Sequence, residues 1–228
     1  MKGIMFTEQN RVLSVKGLKT HTRRICRVQP EGVYKVLRMG TVGKAKYAYV
    51  QFTDRNINSI DAACKPRFNV GERVYIQEPY KFSEYTDFGA DLIYVDGDSR
   101  NISWAEIEAE IVVSGKDIDA LIKSIYRRQE KSKSGWLNKM YMPAWAARNF
   151  IEITDVKCER LQDISEEDCI KEGMSKLHRD NLCWTNHHDD DVVFSSPRRA
   201  YAALINRIHK GAWEENPFVW AYSYELIK

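Results

Sequence analysis

The sequence predicts an α+β fold built around a small twisted β-barrel with short flanking helices. Three observations support this prediction. The chain has 228 residues, of which 43% are hydrophobic and 29% charged, which is typical of a folded domain with its own core. Segments with the alternation or the β-branched composition of strands outnumber the helical segments. The helical segments are short and are bounded by capping residues or glycines.

The first half of the chain begins with a helix and continues mainly as strands. Thr7 is a candidate N-cap, and the helix after it is predicted to end at Gly17, because glycine adopts the left-handed conformation of a helix end. A basic turn is predicted at residues 17–24. Strands are predicted at residues 47–53, at residues 73–78, where apolar and polar residues alternate, and at residues 92–95 before the hairpin signal Asp96-Gly97.

The segment at residues 103–113 is open to two interpretations. Ser103 and Glu106 resemble a capping box, which favours a helix, but the isoleucines and valines that follow are equally typical of a strand. Asp117 is predicted to cap the next helix, which runs past Ile125.

The second half of the chain predicts strands and helices with clearer boundaries. These are a strand at 149–156, a helix capped by Ser165 and Asp168 that ends at Gly173, a helix opened by Ser196-Pro197 that stops before Gly211, and a strand at 218–227.

The cysteines and the apolar segments suggest a reducing compartment. Five cysteines are an odd number, they are far apart, and no CxxC pair occurs, which argues against a disulfide framework and a four-cysteine zinc site. No apolar run approaches the ~20 residues of a membrane span, and the N-terminus lacks the pattern of a signal peptide. We therefore expect a cytoplasmic protein with no membrane partner. The cysteines are Cys26, Cys64, Cys158, Cys169 and Cys183.

The net charge of +3 hides a strong asymmetry. Residues 1–47 contain 11 basic and 2 acidic side chains, residues 81–120 contain 3 and 10, and residues 121–160 contain 9 and 4. Basic residues interleaved with aromatic ones suit single-stranded nucleic acid, because phosphates bind the charges and bases stack on the rings. A solvated helix face with aromatic residues packed beneath it gives the same pattern. The second basic stretch contains Lys123, Arg127, Arg128, Lys131 and Lys133, near Trp136, Tyr141 and Trp145.

The turn at residues 17–24 carries the strongest local chemical signal. Lys19, Thr22, Arg23 and Arg24 lie within six residues, behind Gly17. Hydroxyls and arginines bind anions, and a desolvated lysine loses its proton more easily and becomes a general base. A basic surface turn would look the same in sequence.

A carboxylate could complete a hydrolytic set with Lys19, and Glu172 is the candidate because it stands just before Gly173 at a helix end. An exposed helix-end glutamate is the alternative. The stretch from His187 to Asp191 is more typical of an acidic surface loop than of a metal site, so we expect neither a metal nor a cofactor.

Several stretches together carry a family resemblance. The pattern Gly17-x-Lys19-Thr20-x-Thr22-x-Arg24 resembles the GxKxxTxR signature of the ASCH domain, a PUA-like β-barrel family. Further stretches are similar to the phage- and prophage-borne branch of that family: residues 70–79, 141–148, 153–164, Glu172-Gly173 and residues 216–220. The resemblance spans almost the whole chain. It implies a single domain at residues 1–228 with insertions at 28–64 and 81–135.

The resemblance also implies a function. One small bacterial member of the family is an amidohydrolase that removes the acyl group of N4-acetylcytidine, and its catalytic residues correspond to Lys19, Thr22 and Glu172. Glu78 is a rival carboxylate that is typical of the phage branch. Other members are ribonucleases, and related barrels bind RNA, so a non-catalytic module for single-stranded nucleic acid is the alternative to a hydrolase of modified nucleosides. The residues expected to bind substrate are Gly17, Thr20, Arg23, Arg24, Glu78 and Arg148.

Overall fold

The computed structural model describes residues 1–27, 29, 35–39, 50–53, 60–86, 89–112, 117–177, 180–188 and 192–227. The strands are β1 (Lys2–Met5), β2 (His21–Ile25), β3 (Lys35–Met39), β4 (Val50–Thr53), β5 (Ile60–Cys64), β6 (Arg73–Gln77), β7 (Tyr80–Thr86), β8 (Gly89–Tyr94), β9 (Ser99–Ser103), β10 (Phe150–Arg160), β11 (Ser175–Leu177), β12 (Asp180–Thr185) and β13 (Phe218–Ile227). The helices are α1 (Glu8–Val15), α2 (Trp104–Val112), α3 (Ile118–Lys131), α4 (Glu166–Lys171), α5 (Pro197–Ile208) and α6 (Ala212–Glu215).

The chain divides into two compact units. Of the described residues, unit 1 contains those within 1–11 and 73–150, and unit 2 contains those within 12–72 and 151–227. None of the helices in the described part of the chain is long and apolar enough to cross a membrane.

Unit 1 is built on an antiparallel meander of β7, β8 and β9. The hairpin between β8 and β9 turns at Gly97, whose φ is +89°, as the Asp96-Gly97 signal predicts. Leu92, Tyr94 and Ile102 have no exposed surface, and they pack with apolar residues of α2 and α3. The strands β1 and β6 of this unit pair in parallel.

Unit 2 is built on the long strand β13, which lies between β10 and β2 and pairs with β2 in antiparallel register. Short antiparallel sheets are formed by β3, β4 and β5 and by β11 and β12. The hydrophobic core of this unit includes buried residues of α4 and α5, among them Cys169, Ala200 and Leu204. Ser196 caps α5 by accepting a hydrogen bond from the backbone N–H of Arg199, as predicted.

The α+β class is confirmed, but the barrel is not. In the described part of the chain the strands form separate open sheets rather than a closed barrel. The predicted turn is also shorter than expected, because residues 21–25 belong to β2 and pair with β13. The strand predicted at residues 73–78 is observed as β6, Arg73–Gln77. Its residues do not alternate between buried and exposed, however, since Tyr75 and Gln77 are buried along with Val74 and Ile76.

The ambiguous segment at residues 103–113 begins as a helix. The Ser103 hydroxyl accepts a hydrogen bond from the Glu106 backbone N–H, and the Glu106 carboxylate accepts one from the Ser103 N–H, at 3.3 Å and 3.0 Å. This reciprocal pair is the capping box that opens α2. The predicted strand at 47–53 is observed from Val50, and its first residues lie outside the described part of the chain.

Candidate functional site

The end of α1 fixes the backbone of Lys19. Gly17 has φ +72°, which turns the chain out of the helix. The backbone N–H of Lys19 then donates to the carbonyl of Leu13 at 3.1 Å, and the N–H of Thr20 donates to the carbonyl of Lys171 at 2.9 Å. The signature turn is therefore anchored to α1 on one side and to the end of α4 on the other.

A tight turn after α4 fixes Glu172 against this anchor. Gly173 has φ +104°, a conformation that residues with a Cβ rarely adopt. A Cβ at this position would lie 2.9 Å from Leu13 Cδ1 and 3.6 Å from Lys19 Cβ. Glycine here permits both the turn and the close approach of the backbone to Lys19.

Lys19 and Glu172 form a buried ion pair. Lys19 Nζ lies 2.5 Å from Glu172 Oε2 and also donates to the Glu172 carbonyl at 2.8 Å. The two side chains are 1% and 4% exposed. Burial lowers the pKa of Lys19 below its ordinary value, and the attraction of Glu172 offsets only part of that effect.

Arg23 gives Glu172 a second cation. Its Nη1 lies 3.3 Å from Glu172 Oε1, while Nη2 lies 2.7 Å from Glu159 Oε1 and 2.8 Å from Asp168 Oδ2. Burial alone would lower the pKa of Arg23, but the charges of Glu172 and Glu159 outweigh it and raise the pKa. We call Lys19, Glu172, Arg23, Glu159 and Asp168 the Lys19 cluster.

The other residues of the signature turn lie beside this cluster with different environments. Thr22 is buried in β2 opposite Tyr222, and no hydrogen bond joins it to Lys19 or Glu172 in the described part of the chain. Thr20 Oγ1 is 3.0 Å from His21 Nδ1. Arg24 lies on the same strand, β2, opposite Trp220 of β13, and burial lowers its pKa.

The rival carboxylate, Glu78, is held within unit 1. Arg148 donates to both of its oxygens at 2.9 Å and 2.8 Å, and Arg11 Nη1 lies 3.0 Å from Oε2. Arg148 also contacts Asp96 and stacks 4.1 Å above the ring of Tyr94. Glu78 and Arg148 thus bind each other, whereas Glu172 binds Lys19.

Sequence reasoning missed three charged members of these clusters. Glu159 and Asp168 bind Arg23, and Arg11 binds Glu78. One signal was available for Asp168, since it precedes Glu172 by four residues and so shares its side of the helical turn. No such spacing connects Glu159 with Arg23, because β10 and β2 are brought together only by the fold.

A cavity of about 510 Å³ lies beside the Lys19 cluster in unit 2. It is lined by Leu13, whose carbonyl bonds the Lys19 N–H, by Gly173, which follows Glu172, and by Leu18. The polar side of its lining includes Ser175 and His187, whose Oγ and Nε2 are 2.8 Å apart. This volume falls within the range of ordinary small-molecule sites.

The described residues contain no group of three or more His, Cys, Asp or Glu side chains that could hold a metal ion. Three residues of the predicted acidic loop, at positions 189–191, lie outside the described part of the chain. Comparison of the chain with protein-family models, with curated proteins and with solved structures found no match.

Proposed function

We propose that the protein is an amidohydrolase acting on an N4-acylated cytidine or a related modified nucleotide, with the Lys19–Glu172 pair as its hydrolytic centre. One observation carries this proposal: a lysine with a lowered pKa is held 2.5 Å from a carboxylate that a second cation also binds. Amide hydrolysis needs a base that takes a proton from water and later gives it to the leaving amine.

The charges around Glu172 favour such a role for Lys19. When Lys19 is neutral, the Glu172 carboxylate still lies 3.3 Å from Arg23 Nη1, so it does not become an unpaired buried charge. Arg23 itself is balanced by Glu159 and Asp168. The surrounding ion pairs therefore allow Lys19 to change its protonation state at a low cost.

In this mechanism neutral Lys19 accepts a proton from water, and the resulting hydroxide adds to the acyl carbonyl carbon. The Glu172 carboxylate binds the lysine ammonium that forms and orients it. The C–N bond then breaks, and the Lys19 ammonium returns the proton to the departing exocyclic nitrogen. The products are the carboxylic acid and the free amine, and the lysine is neutral again. Thr22 is the hydroxyl that we assign to positioning the water.

The cavity beside the cluster is where we place the substrate. Its walls include Leu13, whose carbonyl accepts a hydrogen bond from the Lys19 N–H, and Gly173, which follows Glu172 in the sequence. The apolar lining suits an acyl group, and Ser175 and His187 suit the polar edge of a base.

The proposal includes membership of the ASCH family, in its phage-type branch, and a cytoplasmic location. The support for membership is the arrangement of the signature residues: Gly17 and Lys19 lie between α1 and β2, and Thr22 and Arg24 lie on β2. The family's PUA-like barrel would then correspond to the sheet of β10, β13 and β2 with its neighbouring strands.

The direct test is turnover of N4-acetylcytidine and of its 5′-monophosphate. The reaction is measured by the appearance of the free amine, cytidine or its monophosphate. We expect turnover by the wild type and a fall of roughly 10²–10⁴-fold in kcat/KM for Lys19→Met and Glu172→Gln. Lys16→Ala is the matched control, because Lys16 is an exposed lysine that directly follows α1, three residues before Lys19.

Thermal unfolding of each variant establishes that it is folded under the assay conditions. Undiminished turnover by folded Lys19→Met would rule out Lys19 as the base. No turnover of either substrate by the folded wild type would remove the proposed activity.

A further inference from the structure

A second pocket lies in unit 1, beside the C-terminal end of α3. Its volume is about 230 Å³. Three aromatic rings, a guanidinium, an amide and a hydroxyl surround it, from Tyr80, Trp136, Tyr141, Arg128, Asn138 and Ser132. We call this the aromatic pocket.

The backbone around the aromatic pocket is firmly held. The Gln129 side chain of α3 bonds both the N–H and the carbonyl of Phe82 in β7, at 2.8 Å and 3.0 Å. Leu137 N–H donates to the Tyr80 carbonyl at 2.8 Å, and the Ser132 hydroxyl donates to the Trp136 carbonyl at 2.8 Å. These bonds fix the helix end, the strand and the loop that form the pocket wall.

The groups at the mouth of the pocket remain accessible. Tyr141 is 65% exposed, and Trp136 is half-buried. Asn138 accepts a hydrogen bond from Met140 through Oδ1, while its Nδ2 makes no hydrogen bond within the described residues. Arg128 is exposed and bonds only through Nε, to the Ser124 carbonyl at 3.3 Å, in the described part of the chain. The pocket therefore offers ring faces together with donors at their edges.

Exposed cations are numerous on α3 and on the residues that follow it, and one of them, Arg128, lines the pocket. Residues 123–133 contain five basic side chains and one acidic side chain, Glu130, and all five basic residues are exposed. None of the five forms an ion pair among the residues that the structure describes, in contrast to Arg11 and Arg148 of the same unit, which are fully engaged with carboxylates. We call Lys123, Arg127, Arg128, Lys131 and Lys133 the basic segment.

We propose that the aromatic pocket binds an unpaired nucleobase and that the basic segment binds the flanking phosphates of a single-stranded nucleic acid. Bases stack on aromatic side chains whatever their sequence, and unpaired cations bind phosphates by releasing counterions. An acidic peptide would use the cations but would leave the rings without a stacking partner. A duplex keeps its bases inside the stack, away from a recessed pocket. This site is independent of the hydrolytic centre proposed above.

The test is an anisotropy titration of the full chain with labelled single strands of RNA and of DNA, about 12 nucleotides long. We expect Trp136→Ala and Tyr141→Ala each to weaken binding roughly 5- to 150-fold, which corresponds to the loss of one stacked base. The slope of log Kd against log salt should be unchanged in these two variants. Trp136→Phe should retain most of the affinity, because it keeps an aromatic face.

Lys123→Ala and Arg127→Ala, in contrast, should each reduce the slope of log Kd against log salt by about one, because each removes a phosphate contact. Lys210→Ala, an exposed cation of unit 2, is the matched control and should leave both affinity and slope unchanged. If Trp136→Ala fails to fold, the largely exposed Tyr141 still tests the stacking. The proposal is overturned if both aromatic variants bind as the wild type does, if a duplex of the same sequence binds as tightly as the single strand, or if polyglutamate competes equally well.

Discussion

The Glu172 carboxylate is bound by Lys19 on one oxygen and by Arg23 on the other. This asymmetry determines which single substitution harms the protein more. Loss of Lys19 leaves Glu172 with Arg23, whereas loss of the carboxylate leaves the Lys19 ammonium buried beside two arginines. A buried charge that has lost its partner is strongly unfavourable.

We therefore predict that Glu172→Gln lowers the free energy of unfolding by about 3–5 kcal/mol at neutral pH. Lys19→Met should cost clearly less, because Glu172 keeps a cation and the methionine is apolar. Urea denaturation of both variants, with Lys16→Ala as the surface control, measures the difference. Equal losses in the two variants would contradict the role given to Arg23.

The loss of unfolding free energy in Glu172→Gln should also depend on pH. Burial lowers the pKa of Lys19, and without the carboxylate nothing in the pair offsets that effect. The folded variant then releases the lysine proton at a lower pH than the unfolded chain does, near 10.4. Between these values the unfolded state binds more protons, so stability rises with pH. The deficit of Glu172→Gln should narrow as the pH rises towards about 10.4, and the double variant Lys19→Met/Glu172→Gln, which lacks the lysine, should not show this effect.

At the scale of single elements, the turn after α4 depends on Gly173. The residue combines a positive φ with a Cβ position only 2.9 Å from Leu13 Cδ1. Gly17, at the end of α1, also has a positive φ, but a Cβ there would meet nothing within 4 Å. Substitution of Gly17 would therefore introduce backbone strain alone, whereas substitution of Gly173 would introduce strain and a steric contact.

We predict that Gly17→Ala costs about 1–2 kcal/mol, the strain of a left-handed residue with a Cβ. Gly173→Ala should cost more, because it adds the contact with Leu13 to the same strain. Thermal or urea unfolding of the two variants gives the comparison. If Gly17→Ala proved equally costly, packing around Gly173 would not contribute.

Elements with local signals were predictable, and those that depend on distant pairing were not. Ser196-Pro197 and Ser165 mark the starts of α5 and α4 because capping is a contact between residues three positions apart. The strand β2 carries no such local signal: residues 21–25 look like a basic turn, and only pairing with β13 makes them a strand. The closed barrel failed as a prediction for the same reason, since closure depends on which strands pair.

The site follows the same division. The contact between Lys19 and Glu172 joins residues 153 positions apart. Chemistry suggested a lysine and a carboxylate as a set, with Glu172 as the candidate from its place at a helix end. The family resemblance pointed to Glu172 as well and added Glu78 as a rival. The partners of Arg23 were not predictable, because Glu159 reaches it from β10 and nothing in the local sequence places β10 and β2 on either side of β13.

In each unit a buried or largely buried arginine is bound by an aspartate. In unit 2 Arg23 binds Asp168, and in unit 1 Arg148 binds Asp96. For both aspartates burial alone would raise the pKa, but the hydrogen bonds and charges of the arginines outweigh it and lower the pKa. Both units therefore contain carboxylates that are more easily ionised in the folded state than in the unfolded chain.

These pairs predict a loss of stability in acid that both aspartates share. A carboxylate with a lowered pKa stabilises the folded state above its unfolded pKa, near 3.9, and that contribution is lost as the pH falls through the lower, folded pKa. We expect Asp168→Asn and Asp96→Asn each to be less stable than the wild type at about pH 6 and to approach it at about pH 2.5, because protonation removes the same interactions from the wild type. Asp155→Asn, an exposed aspartate on β10, is the control and should follow the wild-type curve. Thermal unfolding across this range measures the effect, and a constant gap between wild type and Asp168→Asn down to the lowest pH would show that the Arg23 pair is not what acid disrupts.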